Sequence, residues 1–180
     1  MPHEKQILPY LSSKHGDVIA LTSDDRQLAQ AVLTRLFRGG QIGGIRFGPI
    51  LQVLIDRRDP EEPLQGQVYL NLESTWVVFE RPPLVWPTCE EDIPEPSMEE
   101  RLRVLCSLRD ATISEVALGT EQPHLTLKFE GGRLLFINGK DDHYESWEVG
   151  TSHGDPAKPW LVVACPGGKV SVWAPKDFLN

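Results

Sequence analysis

Apolar residues along this chain fall mostly into short runs that alternate with polar ones, a period of two that marks strands. The runs Gln41-Ile42-Gly43-Gly44-Ile45-Arg46-Phe47 and Ile50-Leu51-Gln52-Val53-Leu54-Ile55 flank Gly48-Pro49 and read as a hairpin. Further strands are predicted at Asp17 to Leu21, Gln67 to Leu72, Thr75 to Phe79, Thr112 to Leu118 and Leu125 to Phe129. After them come Arg133 to Ile137, Glu145 to Val149, Trp160 to Ala164 and Val170 to Trp173, with Gly131-Gly132 and Pro166-Gly167-Gly168 as turns. Two stretches break the rhythm. Leu28, Val32 and Leu36 recur every fourth residue, one face of a helix that Ser23 can cap and Gly39-Gly40 can end. Ser97-Met98-Glu99-Glu100 matches a capping box, in which hydroxyl and carboxylate satisfy free amides reciprocally, and Leu102, Leu105 and Leu108 continue a second helix.

These elements predict an α+β fold: a mostly antiparallel β-sheet with two short helices on one face. Residues 1–16 hold only a small apolar cluster, Ile7 to Leu11, and residues 56–66 read as a charged loop. The clearest interruption is 81–97, with Pro82, Pro83, Pro87, Pro94 and Pro96 among acids and no periodicity. It separates an N-terminal helix-and-strand half (1–80) from a C-terminal helix-and-strand half (98–180) through an acidic, proline-rich linker. A faint repeat links the two. Ile42, Ile45 and Phe47 match Ile113, Val116 and Leu118 at a constant offset, and after an insertion Leu51, Val53 and Ile55 match Leu125, Leu127 and Phe129. Duplication explains this, and so does the common vocabulary of amphipathic strands. The expected architecture is two similar halves packed together, with the tail completing the second sheet.

Composition narrows the function classes. The 180 residues suffice for one domain or two small ones sharing a core. Eighteen basic against twenty-six acidic side chains leave a formal charge of −8, which argues against nucleic acid and anionic lipid as partners. The same charge suits solubility, and it suits a basic protein partner through electrostatic steering. Cys89, Cys106 and Cys165 have no short spacing, so neither a disulfide framework nor a zinc ribbon is indicated. Met1 to Lys5 lack a signal-peptide start, and no apolar stretch nears the roughly 20 residues that span a bilayer, so the cytoplasm is the expected compartment.

Candidate chemistry is sparse. Asp141, Asp142, His143 and Glu145, with His153 nearby, carry metal-ligand types but no paired histidines or cysteines, and a solvated turn after Asn138-Gly139 accounts for them. Cys165 stands before a Pro-Gly-Gly turn. A cysteine nucleophile needs a base or a helix dipole beside it, and a structural cysteine at a strand end fits better. No phosphate loop or nucleophile elbow is present. Trp76, Trp86, Trp160 and Trp173 are recognition candidates. Trp86, beside Leu84, Val85 and prolines, either packs back across a sheet or offers a handle to a partner, and packing is the favoured reading. Tyr144, Trp147, Trp160 and Trp173 are expected to pack the closing hairpin.

The tail carries a resemblance. Tyr144-Glu145-Ser146-Trp147 and Pro166-Gly167-Gly168 followed by Trp173, preceded by the strand-turn-strand Leu125 to Leu134, resemble the bacterial domain of unknown function 6188 family over residues 102–173. The long linker and the segment Ser152 to Lys158 depart from that pattern. The resemblance implies a fold type and no reaction, because the family is uncharacterised. In character alone, the chain is also similar to cytoplasmic immunity proteins of bacterial toxin systems. The expectation is therefore a non-enzymatic cytoplasmic protein, an immunity protein that binds and neutralises a cognate toxin, without cofactor, metal or catalytic residues. Its partner-binding candidates are Trp86, Glu90, Glu91, Asp92, Glu95, Asp141, Asp142 and Glu145. The alternatives are a small-ligand-binding or metal-dependent enzyme domain, with His143, Glu145 and Cys165 together, or a structural subunit of a bacterial assembly contacted through Trp86 and the linker.

Overall fold

The alternating runs become strands, and the two runs of helical period become helices. The structure is a computed structural model that describes residues 18–21, 25–57, 66–94, 96–152 and 159–179. In chain order the elements are β1 (Val18–Leu21), α1 (Arg26–Phe37), β2 (Gln41–Arg46), β3 (Leu51–Asp56), β4 (Gln67–Leu72) and β5 (Trp76–Phe79). Then come α2 (Met98–Cys106), β6 (Ile113–Leu118), β7 (Leu125–Phe129), β8 (Leu134–Ile137), β9 (Trp147–Ser152), β10 (Leu161–Cys165) and β11 (Lys169–Pro175). Their strands form a seven-stranded sheet, β1-β11-β10-β9-β4-β3-β2, and a four-stranded sheet, β5-β8-β7-β6, antiparallel throughout. The fold is α+β and mostly β.

Local chemistry sets the helix ends. Ser97 and Glu100 form the capping box of α2, the Ser97 amide donating to the Glu100 carboxylate at 2.9 Å. For α1 the expected cap is corrected: Ser23 lies outside the described residues, and Asp25 is the cap, its carboxylate accepting from the Leu28 amide at 2.9 Å. The strand expected from Glu145 begins at Trp147, because the Asp141 carboxylate accepts the amides of His143 and Tyr144 and holds the preceding residues in a turn.

The faint repeat becomes a repeated set of bonds. Gly39 and Asp110, 71 residues apart, both adopt the left-handed conformation that ends a helix (φ 66° and 64°). The Gly40 amide bonds the Phe37 carbonyl, as Ala111 bonds Leu108. Gln41 bridges Thr112, and around that bridge Ile42 N donates to Ala111 O while Ile113 N donates to Gly40 O, each bond the image of the other. Both hairpins carry a β-bulge at the same place, between Ile42 and Gly44 and between Ile113 and Glu115. The fourth strands begin with Trp76 and Trp147, again 71 apart, and they change places. Trp76 in β5 pairs with Ile137 of β8, and Trp147 in β9 pairs with Leu72 of β4. The repeated unit is thus a helix and four strands, α1 with β2 to β5 and α2 with β6 to β9, whose last strand joins the other unit's sheet.

That exchange corrects the expectation for the tail. β9, β10 and β11 join β4 and β1 in the seven-stranded sheet and do not complete the sheet of β6 to β8. The helices do not share one face of one sheet as expected: α2 packs on β5, while α1 packs on β6 of one sheet and on β10 and β11 of the other, with Leu28, Ala29, Val32, Leu33, Leu36 and Phe37 all buried. Its polar residues stitch the sheets. Arg26 donates to the carbonyls of Gly119 and Gly168 at 2.7 and 2.6 Å, closing two turns onto the helix start. The Gln30 carboxamide donates to Val116 O at 3.0 Å and accepts from Leu118 N at 2.8 Å, so one side chain supplies the bonds a further strand would give β6. The core centres on Trp147, fully buried, whose indole N–H donates to Pro123 O at 2.7 Å. No helix among the described residues is long and apolar enough to cross a membrane.

Gln30→Leu keeps the volume of the side chain and leaves the Val116 carbonyl and Leu118 amide unpaired. It is expected to lower stability by about 1–3 kcal/mol, read as a lower urea midpoint with unchanged slope.

Candidate functional site

The repeated halves present two equivalent outer sheet faces, and the side chains on them have diverged. On the seven-stranded sheet, register aligns Arg46, Gln52, Asn71 and Glu148 in one row across β2, β3, β4 and β9. They bond in sequence: Arg46 donates to Gln52 at 3.0 Å, Gln52 to Asn71 at 2.8 Å and Asn71 to Glu148 at 3.4 Å. The Tyr69 hydroxyl also donates to Glu148, at 2.6 Å. Burial, reinforced by the nearby Glu73, pushes the Glu148 carboxyl up despite the Tyr69 bond. Burial and the adjoining carboxylate push the Tyr69 phenol up as well. This row is self-satisfied, a structural answer to polar groups on a broad sheet.

The matching row on the four-stranded sheet is Ala117, Thr126, Phe136 and Val77. No hydrogen bond joins these four side chains, and three of the four are apolar. Half of it is covered by the proline-rich segment that follows β5. Trp86 stands edge-on to Phe79 (6.4 Å between ring centres) and tilted over Phe136 (6.1 Å). This cover explains why all four residues of β8 are buried although strands alternate. Ile93 is buried too. The rest of the face stays open as a groove of about 420 Å³, walled by Trp86 and Pro87 and floored by Ala117, Thr126, Leu134 and Phe136. At one edge of it the Lys128 ammonium lies 3.5 Å from the Glu115 carboxylate.

His124 lies at the groove's end, its ring 5.2 Å from that of Phe136. Its Nδ1 accepts the Gly139 amide at 3.0 Å. Burial, with the positive charges of Lys140 and Arg26, pushes the imidazole pKa down against the opposing effect of the Thr88 backbone. A neutral imidazole has one acceptor nitrogen, and here it is in use. The ring therefore has no free lone pair with which to act as a base.

The expected site residues separate into two groups. Trp86 does pack back across a sheet, yet it remains 41% exposed, and beside it Leu84 is fully exposed and Val85 84% exposed. Glu90, Glu91 and Asp92 form a short 3₁₀ turn directly after the groove wall. Each has a structural partner: Glu90 accepts from the Thr75 hydroxyl, and Asp92 accepts the amide and hydroxyl of Thr88, both at 2.9 Å. The Cys89 thiol, the backbone and the charge of Lys140 hold the Glu91 carboxyl down. Lys140 directly precedes Asp141 and Asp142 in the chain. Glu95 lies outside the described residues, as does His153.

His143 and Glu145 are exposed, and Cys165 has its thiol 3.3 Å from the Ser171 hydroxyl. No group of three or more histidine, cysteine or acidic side chains among the described residues is placed to hold a metal ion. Tyr144 is corrected from a packing residue to an outward one, 70% exposed, while Trp147 is buried as expected. His124, Phe136 and Thr126 were not candidates from sequence. Their signal, outward positions of a strand pair beside a proline-flanked tryptophan, exists only once strand order is known. No known family profile, curated protein or solved structure matches the chain.

Glu148 has a folded pKa raised above its unfolded one, so its contribution to stability is full below the usual carboxylate range and is lost as pH rises through the folded value. Glu148→Gln, which keeps an acceptor for Tyr69, is therefore expected to raise the melting temperature at pH 7. The gain should vanish near pH 4, measured by scanning calorimetry across that range.

Proposed function

We propose that the chain is a non-enzymatic binding protein whose docking site is the groove on the four-stranded sheet, and that its occupant is an apolar side chain on a basic protein. The carrying observation is that Trp86 walls an open apolar groove while Leu84 and Val85 continue the apolar surface into solvent. Exposed apolar patches of this kind are characteristic of interaction sites. The engaged lone pair of His124 and the paired Glu115 and Lys128 support binding over catalysis within the groove. Charge complementarity favours a basic partner: the acidic 3₁₀ turn follows the groove wall, and the whole chain carries −8.

Within that class, we read the protein as an immunity protein that neutralises a toxin domain in a bacterial cytoplasm, and membership of the domain of unknown function 6188 family is part of the same proposal. The groove would take the anchor residue, and the acids would accelerate encounter and hold the basic rim. Occlusion of the partner's own site would then follow from proximity.

Products of neighbouring genes, co-expressed and then titrated by calorimetry, provide the test. A complex should form, weaken as salt rises, and lose at least tenfold in affinity in Thr126→Arg, which fills the open half of the groove without touching the core. The reading is overturned if no neighbouring product binds, or if the complex ignores Thr126→Arg. A small apolar ligand retained by the protein alone would also overturn it.

A further inference from the structure

The repeat is broken at one strand edge. In β6 the outward Val116 carbonyl and Leu118 amide are bonded by the Gln30 carboxamide. The same atoms in the other half, 71 residues earlier, are the Ile45 carbonyl and the Phe47 amide at the outer edge of β2. Among the described residues none bonds them. The helical residue matching Gln30 is Arg101, and it is engaged elsewhere: its guanidinium lies 4.5 Å over the Trp76 ring and donates to the Trp76 carbonyl, because α2 packs on β5. Among the described residues, β2 thus ends the seven-stranded sheet with this carbonyl and amide unbonded, beside a Phe47 side chain that is 66% exposed.

The flanking sequence is complementary to itself. Reading outward from Ile45, Gly44 and Gly43 lie on one side and Arg46 and Phe47 on the other. Gly44 has open space where a side chain would begin. We propose that this edge pairs with the same edge of a second copy of the chain, antiparallel about a twofold axis through Ile45. That register sets each Phe47 against Gly43 and each Arg46 against Gly44 of the other copy. The Phe47 ring then lies over the bulge at Gly43, beside the Asp56 side chain that fills the space there, while Arg46 meets the open space at Gly44. Shifting the register to place Ile45 against Phe47 would set Arg46 opposite Arg46, a like-charge pair that sheets disfavour. An isologous contact needs such self-complementarity, and the open pair supplies the backbone bonds.

The contact is small, so association is at the weak end for specific interfaces. Two copies of charge −8 also repel, and salt strengthens their pairing by screening that repulsion. This is the reverse of the salt effect expected at the groove, and the two surfaces are distinct.

Sedimentation velocity over a concentration series tests the proposal, with melting curves as the check on folding. The wild-type chain should show a reversible monomer–dimer equilibrium that tightens with salt, and Thr126→Arg should dimerise unchanged. Phe47→Asp should weaken the dimer at least tenfold. Gly44→Lys, facing Arg46 of the other copy, should weaken it, and Gly44→Glu should tighten it. The proposal is overturned if wild type and Gly44→Glu stay monomeric at the highest soluble concentration. It is equally overturned if a dimer forms whose affinity is the same in Gly44→Lys and Gly44→Glu.

Discussion

The hydrogen bonds that β5 and β9 make with the opposite half carry the architecture. Trp76 pairs with Ile137 and Trp147 with Leu72, so neither sheet can be completed without a strand from across the linker. The connections at the crossing are images of each other: Glu73 N donates to Ser146 O, and Asn138 N donates to Thr75 O. A second junction at Gln41 and Thr112 ties the two sheets together. Backbone amides removed from water must find partners, and here many of those partners lie in the other half. Neither half can satisfy its own ladder alone, which makes the whole a cooperative unit despite the proline-rich segment between them.

Equivalence of backbone leaves side chains free to diverge, and the two outer faces use that freedom in opposite ways. One row resolves its polarity internally, from the Arg46 cation to the Glu148 carboxyl, and needs nothing more. The other has apolar or small residues in the same positions, and the segment after β5 covers only half of it. A groove remains because Trp86 sits over Phe79 and Phe136 and reaches no further across β7 and β6. Asymmetry at the strand edges has a parallel origin. Gln30 of α1 bonds the edge of β6, whereas α2 packs on β5, its Arg101 is engaged with Trp76, and no described residue bonds the matching edge of β2.

Much of the local structure was legible in the residues. The hairpins around Gly48-Pro49 and Gly131-Gly132, the Ser97 capping box, and the face of Leu28, Val32 and Leu36 all follow from short-range rules of period and turn chemistry. Local rules leave the outcome open where two options are close in energy. Ser23 and Asp25 are both good caps, and Tyr144, three residues before Trp147, has the pattern of a packing residue. A bond from the Asp141 carboxylate to two amides decided the second case, and such turns are faint in sequence.

The sequence by itself determined which segments are strands and helices, where the Ser97 capping box starts the second helix, and that the chain is α+β with a repeated hydrophobic pattern. Those properties depend on contacts between near neighbours, which a linear pattern records. Only the tertiary structure decided that the fourth strands are exchanged, that the tail closes the larger sheet, and that an apolar groove opens beneath Trp86. Phe136 and Phe79 read as ordinary core residues along the chain, because period two says that a strand has two faces and does not say what covers each. Covering is settled by partners far away in sequence, and there the burial of backbone bonds and aromatic surface is decided.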